Sequence, residues 1–295
     1  MLHYRADLRT LVYMAITTTL FVCQWVYGFH WLVYIIYLHL AIAVSVITHN
    51  HQHLNIWKWK PLNVATDWWL TVFYGVPIFT WIPTHNKNHH RYANRQGDTT
   101  ATYRHTEENN LLSLLSYPSV SGRNQIVESI IPYMGNLRKN DKRTFYENWV
   151  QVVVLFSWIV GFLILDWQKA LLFVVIPQQV SAFVVMLFNY IQHVGADEES
   201  KYNHSRNFLG VNLLYFNNGY HTAHHERAGT HWSLTGKEHA KIAHLISPDL
   251  IEKSMWWFLI RTYLLAPFHS KFKPMNRRRI RLDKVTVKTE ELVEA

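Results

Sequence analysis

Ten of the 19 histidines fall into four tight groups whose spacing suits a metal site. His49, His51 and His53 stand in THNHQH, His85, His89 and His90 in HNKNHH, and His221, His224 and His225 in NNGYHTAHH. His193 stands alone in FNYIQHVGAD, four residues after Asn189. On a helix, residues three or four apart share a face, so each of the three larger groups can aim two or more imidazoles at one point. Neutral imidazole binds Zn, Cu, Fe and Ni. A mononuclear site needs three or four such ligands, so nine or ten provide for two metals. A single His in a chain rich in Trp and Tyr is usually a satisfied core residue, and His39 on its apolar stretch reads that way. Burying all four groups without metal would strand polar ring nitrogens.

The spacing also separates roles. His49 and His53 share a face, while His51 lies ~200° round the helix from His49 and is read as a support behind the ligands. His85 and His89 share a face, and His90 is turned from His89 by ~100°, which suits one ligand to each of two metals. His221, His224 and His225 repeat that logic. Glu226, directly after the last pair, is read as a residue that orients a ligand from behind. Asp197, Glu198 and Glu199 read as a solvated acidic loop. Gly219 is placed to let the backbone approach the site closely. His204 and His231 have no spaced partner and fall outside the metal set. Cys23 is the only cysteine, so disulfides and thiolate sites are excluded.

The elements that must hold these groups are apolar. Aromatic content is 15% with 13 Trp, yet mean hydropathy is only −0.07, because the apolar residues are gathered into two blocks. Leu11 to Thr48, broken near Gly28-Phe29-His30, gives spans at about 11–27 and 31–48, near the ~20 residues a ~30 Å core requires. Trp149 to Ile191, broken at Asp166 to Lys169, gives spans at about 149–165 and 170–190 by the same measure, with Pro177 expected to kink the fourth. Val64 to Ile82 carries Asp67, Gly75 and Pro77; crossing the membrane here would split the first two His groups between faces. It is therefore read as an in-plane or re-entrant segment, 64–82. Met255 to Phe268, with Arg261 at its middle, reads as an interfacial helix. The expected fold is an all-α integral membrane protein, four transmembrane helices in two hairpins with a cytoplasmic helical cap carrying a His-rich di-metal site. Residues 1–280 form one membrane domain, and 281–295 a polar C-terminal tail that is loosely ordered from Asp283. No cleavage pattern follows the first apolar segment, so it is expected to remain as a membrane helix.

This topology puts every Lys and Arg except Lys169 on one side, with both termini and all the His groups; the positive-inside rule makes that side cytoplasmic, in a bacterial inner membrane or endoplasmic reticulum. The net charge of +9 is spread through those loops and the tail KFKPMNRRRIR. Attraction to anionic membrane lipids accounts for it, a solvated basic end with no specific partner accounts equally for the tail, and no nucleic-acid motif lies beside it.

HxxxH, HxxxHH and HxxHH in this order, with apolar hairpins before the first and the last, resemble the integral-membrane fatty acid desaturase superfamily, from about residue 11 to about 235. That superfamily also includes alkane and lipid hydroxylases and carotenoid ketolases. The resemblance implies two Fe ions as cofactor, O2 as co-substrate, and His49, His53, His85, His89, His90, His193, His221, His224 and His225 as metal ligands. It makes Asn189 a water-mediated ligand. NYIQH also looks like the NYxEH of alkane hydroxylases, with Gln192 in place of Glu, whereas HTAHH favours the desaturases. Iron matters because it can reduce O2 stepwise, which Zn cannot. The implied reaction takes two electrons, removes two hydrogens from an unactivated acyl chain and leaves an alkene and water. The implied substrate is an acyl-lipid or acyl-thioester. These residues hold no flavin fingerprint, Fe–S cysteine set or haem-binding segment, so a ferredoxin or a cytochrome b5 with its reductase is expected to supply electrons. Arg138, Lys139, Lys142 and Arg143 form a basic loop that ordinary positive-inside charge explains and that also offers a docking face to such a donor. A hydroxylase or ketolase of the same superfamily, acting on a lipid or alkane, is the first alternative. A His-rich membrane metal transporter is the second, and the placing of the His groups at span ends rather than within spans counts against it.

Overall fold

The computed structural model describes residues 1–294, with side chains through 287. It is helical nearly throughout. Among the described residues, strand is confined to the parallel pair Asn207–Phe208 and Ile251–Glu252 and an isolated bridge between Leu2 and Trp57. Among the described residues, four helices are long and apolar enough to cross a membrane: Asp7–Tyr27, Trp31–His53, Lys142–Leu165 and Trp167–His193. All four run past the apolar windows read from sequence. A helix satisfies its own backbone whatever its side chains, so it continues until something stops it. The extra turns matter here, because they carry His49, His53 and His193.

The chain forms two compact units, residues 1–88 with 125–186, and residues 89–124 with 187–295. In the first unit, the second helix is exposed at Trp31, Leu32, Ile35 and Ile36 but buried almost without break from Leu40 to His51. It therefore enters protein before it reaches its histidines. Pro177 is absorbed rather than breaking the fourth helix. The missing N–H would have served the carbonyls four and five residues back, Phe173 and Leu172. Those carbonyls lie in a π-helical stretch, Leu171–Val175, and accept from Tyr37 and Tyr34 hydroxyls at 3.0 and 2.8 Å. Ser181 Oγ donates to the Ala41 carbonyl at 2.6 Å. The second and fourth helices are thus tied by polar bonds suited to an apolar setting.

Lys60–Tyr74 is a helix of 15 residues, about 22 Å long and short of a ~30 Å core. Gly75, at φ 83°, ends it in the left-handed conformation, and a Cβ there would stand 2.3 Å from Gln178 Cβ. Gln178 Nε2 donates to the Val72 carbonyl at 2.7 Å, which holds this helix end in place. The chain then turns into a π-helix, Ile82–His89, that bears the second His group.

In the second unit, the helix His221–Glu226 carries the last His group. Met255–Leu259 continues as a π-helix to Leu265, burying Met255, Phe258, Thr262 and Tyr263 and exposing Trp256, Trp257 and Leu264. Arg277–Glu294 is helical, so the polar stretch from Asp283 continues a helix, and Ala295 lies outside the described residues. The start of this helix is fastened by Arg277 to Asp249, by Arg278 to Glu107 and Glu198, and by Arg281 to Asp197 and Glu198. Polarity alone suggested a free tail, but these long-range ion pairs were invisible in the sequence. They also correct the reading of Asp197 and Glu198 as a solvated loop, since Glu198 is buried.

Candidate metal centre

In the first unit, His49 and His53 project from the last turns of the second helix, with ring centroids 4.8 Å apart. His85 joins them from the π-helix, at 4.7 Å from His49 and 5.1 Å from His53. Trp81 packs on His49 and His85 at 5.5 and 5.0 Å. Each of the three offers a nitrogen within 4.8 Å of the others. Asn86 Nδ2 donates to the Gln52 carbonyl at 2.9 Å and fastens the π-helix to the helix end.

In the second unit, His89, His193, His221 and His225 form a tetrad whose ligand atoms all lie within 4.8 Å of one another. His221 Nε2 stands 2.9 Å from His193 Nε2 and 3.1 Å from His225 Nε2. His90 packs against His224 and His225 at 4.7 and 4.6 Å. The sequence reading put His85 and His89 on one face, and the structure separates them, since His85 joins one group and His89 the other. The reason is local. A π-helix bonds i to i+5, so α-helical face counting does not apply to Ile82–His89. Single π turns of this kind concentrate at functional sites.

Two of the tetrad imidazoles have their back nitrogen fixed. His89 Nδ1 donates to Asp98 Oδ2 at 2.8 Å, with Thr100 Oγ1 2.9 Å from the same nitrogen. His193 Nδ1 donates to the His204 carbonyl at 3.1 Å. In each case the proton sits on Nδ1 and the Nε2 lone pair is turned toward the tetrad. Burial and then the neighbouring imidazoles push His225 well below the ordinary value, which keeps it neutral. Neutral lone pairs facing one another at about 3 Å are what two nitrogens at right angles on a ~2.1 Å metal bond require. The residues fit a first-row divalent metal.

Asp98 is the residue the sequence reading missed. It is fully buried, and its carboxylate accepts from His89 Nδ1, the Asn94 and Thr100 amides at 2.7 and 2.8 Å, and Thr100 Oγ1 at 2.7 Å. Burial alone would raise its pKa, but His89 and the Thr100 bonds outweigh it and hold the carboxyl at about 2. Ala93 and Asn94 at φ 47° and 69°, then Gly97 at 100°, turn the chain back so that Asp98 reaches His89. A Gly-Asp turn nine residues after a metal-ligand His was the available signal.

The remaining candidates are placed as follows. His51 is buried, with Nε2 donating to Asp67 Oδ1 at 3.1 Å and Nδ1 accepting the Ile56 amide at 3.2 Å, so both ring nitrogens are committed away from a metal. Asn189 Nδ2 donates to Tyr117 OH at 2.6 Å, and Tyr117 OH donates to the Thr100 carbonyl at 2.6 Å, a chain that leads to the residue beside His89. Glu226 faces Lys201 at 3.8 Å. The tight approach expected at Gly219 is real but concerns the neighbouring strand, because a Cβ would stand 1.9 Å from the Phe208 carbonyl oxygen. His204, set aside in the sequence, lies against His225 at 5.3 Å, and burial lowers its pKa to about 4.

Comparison with curated proteins and with solved structures gives no match. Four apolar helices, histidines gathered in two groups that could hold metal ions, and a match of the fatty acid desaturase family model to residues 23–259, which takes in every one of these nine histidines, lead to one conclusion: the chain is a multi-pass membrane protein of the fatty acid desaturase family.

Proposed function

We propose that this protein is an O2-dependent di-iron desaturase that introduces a C=C bond into the acyl chain of a lipid or thioester, using electrons from a separate donor protein. The observation that carries the reading is the tetrad. Nitrogen-only ligands with lone pairs converging at 2.9–3.1 Å, two of them aimed by buried acceptors, suit a redox metal held without carboxylates. One iron belongs there; the second draws on the His49, His53 and His85 triad. Bound iron would supply the reduction of O2 and the removal of hydrogen from an unactivated C–H bond.

The chain's own residues do the rest. Asp98 and the His204 carbonyl hold the ligand tautomers, and the buried end of the second helix shields His49 from water. Lipid-exposed side chains on the four helices keep the enzyme where acyl chains are. The distribution of Lys and Arg supports a cytoplasmic site and a donor arriving from the cytoplasm.

The test is iron reconstitution of the full-length protein in detergent, metal analysis, and mass spectrometry of the lipid product after adding O2 and a reduced ferredoxin or cytochrome b5. About two irons per chain and an alkene with unchanged oxygen count are expected. A product with added oxygen overturns desaturation in favour of hydroxylation, and histidines that take up no metal overturn the enzyme reading itself.

A further inference from the structure

Of the buried imidazoles outside both metal-binding groups, His204 lies against a ligand, His225. His204 is 5% exposed and lies in the loop between His193 and the strand Asn207–Phe208. Its Nδ1 donates to the Lys201 carbonyl at 2.9 Å. In a neutral imidazole that leaves Nε2 as a bare acceptor. This Nε2 is sealed from solvent and has no hydrogen-bond partner among the described residues.

The complementary group is on the next ring. His225 turns Nε2 toward His221, so as a metal ligand through that atom it carries its proton on Nδ1. His225 Nδ1 is likewise sealed from solvent and has no hydrogen-bond partner among the described residues. The two ring centroids are 5.3 Å apart, a separation at which nitrogens aimed at each other stand about 3 Å apart. A donor and an acceptor, each costly if left buried and unmade, are thus one ring rotation or one bridging water from contact. The carbonyl of the same residue already accepts from His193 Nδ1.

We propose that His204 is a positioning residue of the metal centre: its ring accepts the Nδ1 proton of His225 while its carbonyl accepts that of His193, so one loop residue sets the tautomer of two ligands. It is not a tenth ligand, because the tetrad's mutually close ligand atoms come from His89, His193, His221 and His225. The inference rests on the tetrad being a metal site.

Cobalt(II) titration of the full-length protein in detergent, read by visible absorption and by competition with a chelator, tests both. His204→Phe fills the space but accepts no hydrogen bond, and His204→Gln keeps an acceptor oxygen near the Nε2 position. If phenylalanine does not fit, His204→Leu replaces it. Expected is a 10- to 100-fold weaker tetrad site in the Phe or Leu variant, an altered cobalt spectrum, and recovery in the Gln variant. Unchanged affinity without the acceptor overturns the inference alone. So does a Gln variant as weak as the Phe variant, since shape and not hydrogen bonding would then govern. A wild-type protein that binds no cobalt overturns the metal reading and this inference together.

Discussion

The triad and the tetrad solve one problem in different ways. In the triad, His49 and His53 stand four apart on one long helix, so their relation is fixed by helical geometry and needs little else. His53 and His85 are half-buried, and Trp81 packs beside the group. The tetrad is gathered from the end of a π-helix, the end of the fourth span and a six-residue helix. No single element aligns those imidazoles. Its three innermost members are buried, and a side chain or a carbonyl from an intervening loop braces two of them, His89 and His193. A ligand pair made by one helix can be written as a spacing; a site made by three elements needs a surrounding shell.

The largest effects should come from the ligands and should differ between the two groups. His193→Ala is expected to lose about half the bound metal and all activity, because the tetrad has no spare geometry. His85→Ala should also abolish turnover, yet its residual metal should sit in the tetrad and resist chelation longest. Metal analysis during timed exposure to a chelator distinguishes the two. If the tetrad empties first in wild-type protein, the contrast between a braced and an open group is broken.

Next in size is Asp98. Asp98→Ala removes the acceptor behind His89 and strands the Asn94 and Thr100 amides. A 10- to 100-fold loss of tetrad metal affinity is expected, with about 3–5 kcal/mol of stability, measured by metal competition and thermal melting. Asp98→Asn sharpens the point through pH. The folded carboxyl sits at about 2, below its ordinary 3.8. A depressed carboxylate adds stability that is present above its unfolded pKa and is lost as pH falls through its folded value. The advantage of wild type over the Asn variant, about 2 kcal/mol, should therefore be flat from pH 7 to 5 and vanish between about pH 4 and 2. An advantage that fades already between pH 7 and 6 would assign the effect to imidazole protonation instead.

This contrast also explains what the sequence disclosed. The four spans were legible because burial in lipid demands long apolar runs, and helix-borne ligand spacings such as His49–His53 and His221–His225 were legible because i,i+4 is a local relation. The separation of His85 from His89 was not, since nothing in HNKNHH announces a π-helix. Asp98 and His204 were passed over for a related reason. Each acts on a residue 9 or 11 positions away through a turn, and such a contact leaves no periodic trace. Pro177 was read as a kink, and only tertiary contacts revealed Tyr34 and Tyr37 standing in for its lost donor.

The smallest expected effect tests how far the tetrad's shell extends. Arg281 Nε donates to Asp197 Oδ1 at 2.7 Å and Nη2 to Glu198 Oε1 at 2.5 Å, while Arg278 also reaches Glu198. Asp197 and Glu198 lie in the loop that leaves His193 and leads to His204, so the tail helix fastens that loop. Arg281→Ala leaves Arg278 on the buried Glu198, and the cost should be near that of a partly exposed ion pair, about 0.5–1 kcal/mol. A fall in melting temperature of about 2 °C would follow, shrinking in high salt as the wild-type pair is screened. Metal retention in both groups should stay as in wild type, because Asp98 and the His204 carbonyl brace the ligands closer in. If Arg281→Ala instead releases tetrad metal and spares the triad, the brace is not confined to the residues in contact with the imidazoles. The tail would then be part of what holds the site together.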